Sequence, residues 1–224
     1  MGLRGVVFDF DLTLADSTVA VVECSNHALS AMGFKAMDSE SVRRTIGLTL
    51  PQAFRELSGS GDPTLAAEYS RRFVGRADEV MVASTRVYEG VPATLQTLRD
   101  RGLRLAVVST KFRYRIEAIL AQSALSNAFE VIVGGEDVTE HKPHPEGLLH
   151  ALARLNVTAS QAIYVGDHPF DAEAAVRAGT AFVAVRTGVQ SAEAWSACAP
   201  LGVIDDVSGL PELLQATGHL EAAL

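Results

Sequence analysis

The chain has 224 residues, room for one large domain or for a core with a smaller insert, and its 48% hydrophobic and 21% charged residues exclude a disordered chain. A formal net charge of -8 argues against wholesale nucleic-acid binding but leaves room for a local cationic pocket. Cys24 and Cys198 form neither a disulfide framework nor a metal-ligand pattern, and no stretch reaches the roughly 18 apolar residues of a bilayer span.

The short apolar run 6–8 near the N-terminus, closed by Asp9, has the wrong length and flanks for a signal peptide. The expectation is a cytoplasmic, non-membrane protein with reduced thiols, Cys24 buried on a helix, and a monomeric or homodimeric state. Residues 4–10 (RGVVFDF) read as a buried strand, and 103–109, 129–133, 162–166 and 181–185 repeat the compact apolar pattern. Continuous apolar runs, rather than strict alternation, suit parallel strands covered on both faces. Helical patterns separate most of them: 91–102, RIEAILAQSAL, PEGLLHALARL and DAEAAVRAG, the last stopped by Gly179. This alternation predicts an α/β fold, a doubly wound, Rossmann-like parallel sheet.

Between about residues 16 and 86 the period is helical and no strand is evident. Asp16 or Ser17 is expected to cap a helix that runs to Met32 and stops at Gly33. Ser41 to Ile46 reads as a second helix, Pro51 starts a third through Leu57, GSGDP is a loop, and 64–83 is a long helix. The predicted organisation is therefore a core of residues 1–15 and 87–224 interrupted by an all-helical insert at 16–86. ATGHLEAAL at the C-terminus reads as a weak helix or a frayed tail.

Four segments, each following its own strand, carry chemistry. DFDLTLAD places Asp9 and Asp11 two residues apart at a strand end, a close carboxylate pair that needs a cation and can attack phosphorus. Ser109 and Thr110 offer hydroxyl and backbone N–H groups to a phosphoryl oxygen, and Lys111, Arg113 or Arg115 can face the same ligand. Lys142, in EHKPHPEG, is the strong cation of a proline-stiffened turn, where it can neutralise a nucleophile and a transferring phosphoryl group; His141 and His144 beside it read as loop residues. GDHPFDAEAAVRAG puts Asp167 and Asp171 at a strand end and a helix start. Each segment alone has an ordinary structural explanation: helix caps, a solvated helix face, a surface lysine. Together, in one order at one edge of a parallel sheet, they make a pocket for a cation and a phosphate.

With FDFDLTLADS, VVST, HKPHPEG and GDHPFDAEAAVRAG in this order over essentially the whole chain, the sequence resembles the haloacid dehalogenase superfamily. It is most similar to the phosphatases with a helical cap inserted after the first strand, the group that includes phosphoglycolate phosphatase. The resemblance implies Asp9 as nucleophile and metal ligand, and Asp11 as general acid/base with its backbone carbonyl on the metal. It implies Ser109 on the phosphoryl group, Lys142 as charge stabiliser, Asp167 on Mg²⁺ and Asp171 supporting the metal shell. Leu12 departs from the usual glycine. Asp11 sets the chain apart from true dehalogenases and from phosphonate-cleaving relatives.

The insert is expected to lid the site by hinging near 15–17 and 84–88, with RRTIGLTL (43–50) resembling a substrate-reaching loop. There Arg43 or Arg44 meets an anionic leaving group and Gly47 allows close approach, unless both arginines lie on a solvated face. The expected substrate is a small phosphorylated metabolite of the phosphoglycolate kind. Inorganic pyrophosphate, a biosynthetic phosphate ester, a sugar phosphate in a mutase reaction, and a catalytically silent phosphate-binding module remain alternatives.

Overall fold

The computed structural model describes residues 2–188 and 198–220. In chain order the elements are β1 (Gly5–Phe8), β2 (Ala15–Asp16), α1 (Thr18–Ala31), α2 (Ser39–Arg43), α3 (Leu50–Ser58), α4 (Pro63–Ser84), β3 (Arg86–Val87), α5 (Val91–Asp100) and β4 (Arg104–Val108). Then follow α6 (Arg113–Gln122), β5 (Val131–Val133), α7 (Glu146–Arg154), β6 (Ala162–Gly166), α8 (Pro169–Ala178), β7 (Ala181–Val185), β8 (Gly202–Ile204) and α9 (Leu210–Ala216). They form two compact units, one of Met1–Leu14 and Val87–Leu224, the other of Ala15–Arg86.

The first unit is the doubly wound α/β fold. Its sheet has the order β5-β4-β1-β6-β7-β8, all parallel. Val6, Val7 and Phe8 are fully buried, so β1 has no polar face and reads as an unbroken apolar run. On one side of the sheet α7 presents Leu148, Ala151 and Leu152, and the residue that ends it, Leu155, completes a stripe packed with Val108, Val131 and Val133. Phe8 pairs with Val107 of β4 and with Val165 of β6, which brings the three central strands to a common end. The chain builds outward from β1 through β4 and β5, then returns to the other side at β6. That reversal opens a crevice beyond the carboxyl ends of β1 and β6, the place where open α/β sheets bind ligands.

The second unit is helical. The 3.6-residue period selects Ala20, Cys24 and Ala28 of α1, and Ala66, Tyr69, Phe73, Ala77 and Met81 of α4, for one shared core. Phe54 of α3 stacks edge-on to Phe34 at 5.5 Å and tilts against Tyr69 at 5.3 Å.

Several elements differ from the sequence-based expectation. Of the two caps expected for α1 it is Asp16 that acts, accepting the Thr18 N–H at 2.8 Å, while Ser17 stands at the cap position without a side-chain bond. The second helix starts earlier, because Asp38 caps it through the Ser41 N–H at 2.8 Å, and it ends at Arg43, with turns rather than helix through Ile46. The pair β2–β3 lies where the chain leaves and re-enters the first unit, and two residues per strand leave no periodicity to read. Neither β8 nor α9 was anticipated. β8 is held by its neighbours, with Leu201 N–H on Phe182 O at 2.7 Å and Arg186 N–H on Ile204 O at 3.0 Å. The helix near the C-terminus lies before the expected tail segment, whose residues 221–224 are outside the described residues. Among the described residues no helix is long and apolar enough to cross a membrane.

Candidate active site

Asp9 follows β1 directly, and its N–H still bonds to Val165 O at 2.9 Å, so the sheet fixes where its side chain emerges. The chain then turns: the Leu14 N–H reaches back to Phe10 O at 2.9 Å, and Leu12 adopts φ 59. A left-handed leucine is strained by roughly 1–2 kcal/mol relative to the right-handed form. Leu12 is nonetheless fully packed, 1% exposed, and its carbonyl accepts the Thr187 hydroxyl. The turn that a glycine would make without strain is held here by burial and by that bond.

Lys142 lies between two of the expected acids, with Nζ 2.9 Å from Asp9 Oδ1 and 2.6 Å from Asp171 Oδ1. Burial alone pulls an ammonium pKa down, but Asp171 and Asp9 outweigh it and hold Lys142 well above the usual lysine range. Burial pushes the Asp9 carboxyl up against the opposing pull of Lys142. Asp167, at the end of β6, is raised well above the carboxylate range by burial and then by the neighbouring charges of Asp9 and Asp171.

The oxygens of Asp171 are already engaged. Oδ1 receives Lys142, and the Tyr164 hydroxyl lies 3.0 Å from it; Oδ2 accepts the His168 N–H at 3.0 Å. Asp171 therefore orients the lysine directly. Asp167 Oδ1 accepts the Thr13 hydroxyl at 2.9 Å. Two glycines make this packing possible: a Cβ on Gly166 would stand 2.5 Å from Asp171 Oδ2, and one on Gly188 would stand 2.3 Å from Asp167 Oδ2.

Ser109 and Lys111 follow β4, on the neighbouring strand. Both are buried, whereas Thr110 between them is half-buried. Lys111 precedes α6 instead of lying on a solvated helix face, and its Nζ stands 3.2 Å from Asp11 Oδ1. Arg113 pairs with Asp137 at 3.2 Å, and Arg115 is buried with its guanidinium 5.1 Å from the rings of Phe112 and Tyr114. His168 caps α8: its Nδ1 accepts the Phe170 N–H at 3.1 Å, which leaves the ring proton on Nε2. Burial lowers its pKa to about 4.

Carboxylate oxygens of Asp9, Asp167 and Asp171 lie within 4.8 Å of one another. The buried Oδ1 atoms of Asp9 and Asp11 make no directed hydrogen bond. Four acids and two lysines share the site, and the acids offer an all-oxygen donor set. That combination fits a hard divalent cation. The Asp11 side chain is not part of the three-residue group. Arg43 and Gly47 belong to the helical unit: Arg43 closes α2 half-buried, and Gly47 turns at φ 97.

Sequence reasoning assigned no role to Thr13, Tyr164, Thr187 or Gly188. Thr13 carried a signal, standing two residues after Asp11. The other three become visible only when β6 and β7 lie beside β1.

Residues 6–185 match the family model described as haloacid dehalogenase-like hydrolase. The phosphoglycolate phosphatase encoded on a plasmid of Cupriavidus necator is 34% identical over 93% of this chain and 92% of its own length. The phosphoglycolate phosphatase of Pseudomonas fluorescens is 31% identical over 92% of this chain and 78% of its own. A crystal structure from Bacteroides fragilis, described as a haloacid dehalogenase-like hydrolase, superposes with a TM-score of 0.90 at 36% identity, covering 93% of this chain and 99% of the other.

Proposed function

The chain belongs to the haloacid dehalogenase-like hydrolase family and is a phosphatase, and we propose that it hydrolyses a small phosphorylated acid of the phosphoglycolate kind with Mg²⁺, through a phosphoryl group carried on Asp9. The observation that carries this reading is the convergence of Asp9, Lys142, Asp171 and Asp167 in one buried cluster at the ends of β1 and β6. Two relatives named for phosphoglycolate support the substrate class.

In the first half-reaction an Asp9 carboxylate oxygen bonds to phosphorus, the bond to the leaving oxygen breaks, and Asp11 gives that oxygen a proton. In the second, water bonds to phosphorus, the bond to Asp9 breaks with its electron pair returning to the carboxylate, and Asp11 takes a proton from the water. Lys142 offsets negative charge on Asp9 and on the transferring phosphoryl group, and Ser109 holds a phosphoryl oxygen. Asp9, Asp167, the Asp11 carbonyl and, in support, Asp171 would hold the Mg²⁺, which supplies charge neutralisation for the phosphoryl oxygens. On the RRTIGLTL pattern alone, Arg43 is assigned to an anionic leaving group and Gly47 to its close approach, and Thr110, next to Ser109, to the phosphoryl group. The reading carries with it a cytoplasmic protein.

Phosphate release from a panel of small phosphorylated acids, sugar phosphates and pyrophosphate, with EDTA and then Mg²⁺ added back, tests the proposal. The small acids should turn over fastest, and only with metal. Full activity in metal-free buffer would overturn the metal assignment. Pyrophosphate as the preferred substrate, or interconversion of sugar phosphates without release of phosphate, would overturn the substrate class.

A further inference from the structure

Lys111 is delivered to the site on fixed backbone. Its N–H faces Ser109 Oγ at 3.4 Å, and its carbonyl accepts the Gly135 N–H at 3.1 Å. A Cβ on Gly135 would stand 2.4 Å from Thr110 O, so only glycine lets that strand end close on the turn. The pairing of Phe8 with Val107 then dictates what meets beyond the strands. Asp11, three residues past Phe8, faces Lys111, four residues past Val107. Their side chains are 10% and 4% exposed and 3.2 Å apart.

The Asp11 Oδ1 has no directed hydrogen bond, and the Lys111 ammonium stands beside it as its charge partner. Lys142 occupies the other side of the site, committed to Asp9 and Asp171. The two lysines thus divide the acids: one serves the nucleophile, the other the acid/base. In the second half-reaction Asp11 acts as a carboxylate, and the Lys111 ammonium 3.2 Å from its Oδ1 is placed to fix that group where the attacking water must meet it.

We propose that Lys111 is a positioning residue for Asp11 in the second half-reaction, fixing the carboxylate that takes a proton from water as the Asp9–phosphorus bond breaks. The inference rests on the reading of Asp9 and Asp11 given above, and the two can fail separately. Rapid mixing with p-nitrophenyl [³²P]phosphate in Mg²⁺ buffer separates the steps. p-Nitrophenolate release reports formation of the phosphoenzyme, and acid quench after a chase reports its decay. This leaving group needs little protonation, so formation does not depend on Asp11 as an acid.

Lys111→Met should slow decay by about tenfold or more, with formation within about threefold of wild type, so that phosphoenzyme accumulates. Lys111→Arg keeps the charge on a longer, planar group and should fall between. Asp11→Asn should give the same accumulation, more strongly. If Asp11→Asn stalls at the phosphoenzyme but Lys111→Met slows formation instead, or raises KM with decay unchanged, Lys111 acts on the substrate and the inference is wrong. If Asp11→Asn decays at the wild-type rate, the underlying assignment of Asp11 fails. Should Lys111→Met not fold, Lys111→Gln, which keeps a polar group there, is read by the same two rate constants.

Discussion

At the centre of the site one ammonium group bridges two carboxylates, Lys142 standing 2.9 Å from Asp9 and 2.6 Å from Asp171. Its chemistry depends on a nucleophile that carries charge. Asp9→Asn keeps the shape and removes the attacking charge, and steady-state phosphate release should fall on the order of 10⁴-fold or more, once mass spectrometry has excluded deamidation. Near-normal turnover would remove Asp9 as nucleophile. Gly188 contributes no chemistry, yet Gly188→Ala should cost activity, because the new Cβ would stand 2.3 Å from Asp167 Oδ2. Since Asp167 must move, the half-saturating Mg²⁺ concentration should rise; an unchanged metal requirement would show that the loop yields instead. His168 gives a pH signature of its own. Its folded pKa, lowered to about 4 from 6.5, means that the unfolded chain binds more protons between those values. Its contribution to stability is therefore present above pH 6.5 and lost as pH falls toward 4. His168→Asn, which keeps a good cap residue, should narrow the drop in melting temperature over that window.

Among the elements, the turn after β1 and the helical unit illustrate two kinds of stabilisation. In the turn, a left-handed Leu12 is tolerated because its side chain is buried and Thr187 holds its carbonyl. In the helical unit, stability comes from one apolar seam. Phe54 is fully buried, and it joins α3 to Phe34 and to Tyr69 of α4. Phe54→Ala should destabilise this unit by about 3–5 kcal/mol, the range for truncating a buried aromatic. Urea unfolding followed by far-ultraviolet circular dichroism measures it, and a loss under about 1 kcal/mol would mean that the seam closes over the cavity far better than such cores usually do.

For the molecule as a whole, the acidic cluster sets function against stability. Asp9 and Asp167 have folded pKa values raised above the usual 3.8, so without metal the folded state binds more protons than the unfolded state above that pH. Their ionisation therefore lowers metal-free stability as pH rises from about 4 through their folded pKa values. Asp167→Asn should raise the melting temperature of the metal-free protein at pH 7 while abolishing activity. Mg²⁺ should raise the melting temperature of the wild type, and that of the Asp167→Asn protein much less. A wild-type melting temperature indifferent to Mg²⁺ would contradict the assignment of this cluster to a cation.

The sequence by itself determined the class of the fold and pointed to the candidate reacting groups. Continuous apolar runs such as 6–8 and 162–166 are buried along their whole length, as parallel strands covered on both faces require. Asp9, Ser109, Lys142 and Asp167 each follow such a run, so a parallel sheet gathers them at one edge. Local periodicity also marked about 16–86 as helical, and Cys24, expected to be buried on a helix, lies in the core of that unit with Ala20 and Ala28. It did not expose β8 or the β2–β3 pair, which are too short to carry a period and form because a neighbouring strand offers hydrogen bonds. Tertiary structure alone decided the partners. Lys111 precedes its helix and meets Asp11, Asp171 turns to Lys142 and Tyr164, and Gly188 lies against Asp167. Apart from Asp171–Tyr164, which are seven residues apart, these contacts join residues far apart in sequence, and their geometry depends on how the strands lie side by side, which no single segment of the chain contains.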